Sequence, residues 1–139
     1  MRLDWLTTTL FISFSCSVTK NQKKGKVLPE DFNYEAKFTT VKTVIIIPFE
    51  LNGISKNFLF DTGADYRVIQ RDSTLGKTGN YDGATNREMK LGNEYVKSLK
   101  IGNIDFQNTY AVNGNLIGLK EQISNFGGIL GQPIISKAN

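Results

Sequence analysis

The chain has 139 residues, enough for one domain with a substantial core, and an ordinary globular composition, 40% hydrophobic and 11% aromatic. With no His and a single Cys, it cannot build Ser-His or Cys-His nucleophilic sites, an internal disulfide or a Cys-based zinc site. Its net charge of +4 does not indicate nucleic acid: of 17 Lys and Arg five precede Glu30, whereas of 13 acids only Asp4 does, so beyond that point the chain is neutral.

Residues 1–15 read as a signal peptide. Arg2 is followed by a short apolar run over residues 5–14, below the ~20 apolar residues that span a bilayer. Ser13-Phe14-Ser15-Cys16 then resembles the lipobox of bacterial lipoproteins, which implies lipidation at Cys16. An ordinary secretory signal and a buried N-terminal helix with an idle Cys are the other readings. Residues 16–29 are polar and rich in Lys, with Lys20, Lys23, Lys24 and Lys26 in an acid-free stretch. They read as a tether, either simply solvated or attracted to anionic headgroups.

The domain is expected over residues 30–139, and its pattern is β. Residues 38–44 alternate loosely and lead into Val44-Ile45-Ile46-Ile47, where Pro48 confines the strand to an edge or bulge. Asn52-Gly53 is a strong hairpin signal, returning through Ile54 to Phe58-Leu59-Phe60. A further strand is expected over residues 66–70. Residues 75–90, rich in Gly and Asn, read as a mobile hairpin or lid with its tip near Gly83-Ala84-Thr85, or as a disordered surface loop. Alternation resumes from Tyr95 to Val112 around a Gly102-Asn103 turn. A connection follows, with a short helical turn expected over residues 119–123. Phe126-Gly127-Gly128-Ile129-Leu130-Gly131 is a second apolar strand, and Pro133 opens a short helix with Ile134 and Ile135 on its buried face.

With His absent and Cys solitary, hydrolytic chemistry falls to carboxylates, Lys or Tyr. Asp61 is the best placed of these. Three bulky apolar residues run directly up to it, so it sits where a buried strand surfaces, and Thr62-Gly63 turns the chain at once.

Phe60-Asp61-Thr62-Gly63-Ala64-Asp65 with Val68-Ile69, a Gly-rich hairpin, and Ile129-Leu130-Gly131 about seventy residues later resemble the retropepsin-type aspartic proteases. The similarity is greatest to bacterial members with one Asp-Thr-Gly per chain, and it covers residues 41–135. It implies an all-β, closed-barrel fold with a flap hairpin and one short C-terminal helix. It also implies an endopeptidase acting on peptide or protein substrates in the bacterial cell envelope, lipid-anchored or secreted, with no cofactor and no metal. Asp61 would be catalytic and Thr62, Gly63 and Ala64 its loop. Asp65, Gly83, Ala84 and Thr85 would contact substrate. One Asp-Thr-Gly per chain requires a homodimer in which Asp61 meets its symmetry mate.

Two positions depart from the pattern. Gln132 stands where retroviral relatives often carry an Arg paired with the acid four residues past the catalytic Asp, which leaves Asp65 without that partner. The chain also ends eight residues after Gly131, where the family completes a helix and adds an interface strand. A catalytically inactive peptide-binding module and a truncated remnant of the same fold therefore stay open beside the peptidase.

Overall fold

The computed structural model describes residue 21, residues 24–82, residues 88–135 and residue 137. The expected signal peptide, Cys16 and the expected lid tip at Gly83, Ala84 and Thr85 lie outside the described residues. The described chain is all-β: β1 (Lys26–Leu28), β2 (Thr39–Val41), β3 (Val44–Leu51), β4 (Ile54–Phe60), β5 (Val68–Gln70), β6 (Gly79–Asp82), β7 (Glu88–Ile101), β8 (Ile104–Gly114) and β9 (Phe126–Leu130), with one-turn helices α1 (Ile117–Lys120) and α2 (Gln132–Ile135).

Strands β8, β5, β9, β4, β3 and β7 pair in that order, and β7 pairs back with β8, so the hydrogen-bonded neighbours run in a ring. β1, β2 and β6 add to β8, β3 and β7. Local turn chemistry sets the hairpins. Asn52 and Gly53 both take positive φ, 49° and 85°, as the two-residue turn joining Leu51 to Ile54 requires. β3 runs straight through Pro48, which is tolerated for a specific reason. On the side away from β4, β2 pairs only through Ile46 and β7 only from Glu50, so no ladder asks Pro48 for an N–H.

The main core gathers Phe49, Phe58, Ile69, Leu99, Phe106 and Leu130 with their neighbours. Phe58 is fully buried and meets Phe49 edge-on at 5.9 Å. Burying such a ring contributes about 1.5–3 kcal/mol. Phe58 lies three residues before Asp61 and Leu130 ends β9, so both strands that frame the expected site are rooted in this core.

Four sequence expectations change. Lys26–Leu28 is strand rather than tether, pairing with Asp105–Gln107 of β8, because Gly25 lets the backbone lie against Gln107 and Thr109, where a Cβ would come to 2.5 and 2.6 Å. Residues 38–44 are a tight β2–β3 hairpin about Lys42-Thr43, with Lys42 at φ 56°. Residues 66 and 67 precede β5 instead of belonging to it, and α1 begins two residues before the expected turn.

Candidate active site

β9 lies between β4, which it pairs with in parallel, and β5, which it pairs with antiparallel. The chain leaving β4 must therefore cross the C-terminal end of β9 to reach β5, and residues 61–67 make that crossing. β4 surfaces as expected: Phe58 and Leu59 are buried, Phe60 half-buried and Asp61 exposed. The Asp61 N–H donates to Leu130 O at 2.9 Å, extending the β4–β9 ladder by one residue. The Asp61 carboxylate then bends back, its Oδ1 accepting the Gly63 N–H at 2.9 Å, while Asp61 O accepts the Ala64 N–H at 3.2 Å. An Asp side chain bonded to the backbone two residues on is an Asx turn.

Two close approaches fix the crossing in place. A Cβ on Gly131 would sit 2.1 Å from Ala64 O, and one on Gly128, at φ 142°, would sit 1.9 Å from Val68 O. Neither position accepts a side chain. The loop's far end is tied by Arg67, fully buried, whose Nη1 donates to Tyr110 O at 3.1 Å and whose carbonyl accepts the Val112 N–H. Burial lowers the Arg67 guanidinium to about 10. It also contributes to the downward shift of Lys137, which is caused first by burial and then by repulsion from Arg67.

Burial alone would single out a different acid. Asp105 is buried, but its two oxygens accept hydrogen bonds from Ser98 Oγ and Gln107 Nε2, both at 2.7 Å. It is a satisfied structural carboxylate. A cavity of about 240 Å³ also lies away from Asp61, at the opposite end of β9, lined by Lys56, Arg71, Asp72, Lys120 and Phe126 among others. Asp61 instead stands on an open face of the chain.

No family model matches this chain, and no curated protein sequence matches it. Among solved structures it is similar to the crystal structure of a retropepsin-like aspartic protease from Rickettsia conorii, with a TM-score of 0.53 and 18% identity, over 76% of this chain and 85% of that one. The fold is retropepsin-like.

Within that fold the sequence-predicted residues fall into three groups. Asp61, Thr62, Gly63 and Ala64 form one exposed or half-exposed turn, and a Cβ on Gly63 would press to 3.3 Å from Asp61 Oδ1. Asp65 is exposed on the same crossing, and neither ion pair among the described residues, Arg71–Glu94 and Asp72–Lys120, involves it. The expected lid has its two legs in place, β6 and β7 pairing from Gly79–Leu91 to Asp82–Glu88. Tyr81 on that hairpin meets Tyr66 edge-on at 5.4 Å, so the hairpin touches the residue after Asp65.

Sequence reasoning missed the part played by Gln132. Its backbone N–H donates to Ala64 O and its Nε2 to Thr62 O, each at 2.9 Å. It braces the turn from the helix side and makes no bond to Asp65. A glutamine after apolar-apolar-Gly signals this only once the two segments are known to touch.

Proposed function

We propose that this chain is one half of an aspartic endopeptidase, with Asp61 and its symmetry mate forming the catalytic pair in a two-fold homodimer. The observation that carries the reading is the exposed Asp61 carboxylate, oriented by the neutral Gly63 N–H on a turn that β9 and α2 hold from below. An isologous contact about that turn brings two such carboxylates face to face, and it turns an open face into a cleft.

The chemistry follows from charge repulsion. Two carboxylates at hydrogen-bond distance do not both ionise cheaply, so the pair holds one proton and titrates as a unit. The ionised member takes a proton from water as its oxygen attacks the scissile carbonyl carbon. The protonated member donates to the carbonyl oxygen, giving a neutral tetrahedral gem-diol. Proton transfer to the amide nitrogen then lets the C–N bond break, releasing an amine and a carboxylic acid. Thr62 grips the facing subunit, and Asp65 with the hairpin tip at Gly83, Ala84 and Thr85 contacts the peptide.

The same proposal covers the finer architecture and the location. The ring of strand pairings is the closed barrel of this fold, with the β6–β7 hairpin as its flap. Residues 1–15 direct export, and Cys16 carries a lipid that tethers the chain to the bacterial envelope. The lysines after Cys16 add attraction to anionic headgroups.

The test is peptide hydrolysis by the full-length chain. Activity should be blocked by pepstatin, rise faster than linearly with enzyme concentration, and fall by roughly 10³-fold or more in Asp61→Asn. A chain that binds peptides as a strict monomer without cleaving them would replace the peptidase with a binding module.

A further inference from the structure

Gln132 reaches the Asp61 turn with both main chain and side chain, and the side-chain contact has a consequence set by covalent geometry. Thr62 C=O and Gly63 N–H are the two ends of one planar trans peptide group, so they point in opposite directions. Gln132 Nε2 donates to the oxygen at one end, 2.9 Å away. The N–H at the other end donates to Asp61 Oδ1, also at 2.9 Å. A single peptide plane therefore links the Gln132 amide to the carboxylate.

We propose that Gln132 is a positioning residue for Asp61, acting through the Thr62–Gly63 peptide. The inference rests on the reading of Asp61 as the reacting carboxylate. Two effects run along the link. A donor on the carbonyl oxygen polarises the peptide and strengthens the bond its N–H makes, by about 10–30% per bond in linked chains. It also pins the rotation of a peptide plane that Gly63, lacking a Cβ, leaves loosely restrained.

The backbone N–H of Gln132 already ties the start of α2 to Ala64 O. The side-chain amide is thus not needed to seat the helix, and its contact falls on the one peptide that faces the carboxylate. Being neutral, it orients Asp61 without setting a cation beside it. That suits a pair that must hold one proton between two oxygens of similar affinity. Gln132 is exposed, so substitutions there leave the core untouched.

The experiment uses full-length, ¹⁵N-labelled chain and three variants. Gln132→Met keeps the shape and removes the donor, Gln132→Glu sets an acceptor against the Thr62 carbonyl, and Gln132→Arg restores a donor. The Gly63 amide proton resonance should move upfield in Met, further in Glu, and return towards its original place in Arg. With a peptide substrate, kcat should fall roughly tenfold in Met, inside the 10²-fold that a small misplacement costs, with KM little changed. A Gly63 resonance unmoved in both Met and Glu overturns the link, and a moved resonance with unchanged kcat overturns the positioning role. The resonance needs no turnover, so an original chain without peptidase activity sinks the reading of Asp61 while the link is still measured.

Discussion

The two ends of β9 handle charge in opposite ways. At its N-terminal end every cation lining the cavity has a side-chain partner: Arg71 binds Glu94 through two nitrogens, at 2.7 and 3.0 Å, Lys120 meets Asp72, and Lys56 donates to Asn125. At its C-terminal end the Asp61 carboxylate is oriented by a neutral backbone N–H. The same strand thus carries a pole where two of three cations are paired with opposite charge and a pole where charge is only held in place. A carboxylate locked to an Arg or Lys is a poor base and cannot share a proton. Under the proposed function, the pole built from peptide groups is the one that carries the chemistry.

The comparison breaks first if β9 is unseated. Gly128→Ala puts a Cβ 1.9 Å from Val68 O at a φ of 142°. The clash is with backbone, which has nowhere to move between β4 and β5. The expected cost is above about 4 kcal/mol, enough to abolish cooperative melting followed by circular dichroism, and both ends fail together. A variant melting within a few degrees of the original chain would mean that β9 does not thread between its neighbours as described.

A milder change separates the ends. Glu94 has a side chain 10% exposed, and its partner Arg71 is 35% exposed. Glu94→Gln keeps the shape and removes the charge. Because solvent reaches Arg71, the loss in urea denaturation should be only about 1–2 kcal/mol. Peptide hydrolysis should be unchanged at temperatures where the variant stays folded. If kcat drops in step with stability, the two poles are coupled through β9 and their independence is wrong.

How far the residues announced this arrangement depends on whether the cause is local. The Asn52-Gly53 turn was legible because only such residues take two positive φ values cheaply. Asp61 was legible because an apolar triplet ending in an acid must come out of a core. The Lys42-Thr43 turn was not, since a Lys at φ 56° leaves no compositional mark. Arg67 was not either: its residue type points outward, and the Tyr110 carbonyl it donates to lies 43 residues further along the chain. The link from Gln132 to Thr62 spans 70 residues and depends on a parallel β4–β9 pairing that no local pattern encodes. The exposed carboxylate at the end of β4 was readable, and the residues that brace its turn were not.

The smallest expected effect tests whether the charged pole is electrostatic at all. A hydrogen bond from Lys120, and then its positive charge, lower the Asp72 carboxyl below its usual range. A depressed folded-state value stabilises the fold above the unfolded carboxylate pKa of about 3.9, and the contribution disappears as pH falls through the folded value. Lys120→Gln should therefore melt slightly below the original chain at neutral pH. The gap should close as the solution is acidified past that range, and added salt should also narrow it, because the pair lies in solvent. A gap that survives both treatments would show that Lys120 acts by laying its aliphatic stem along the cavity wall. In that case packing as well as charge pairing would separate the two ends of β9.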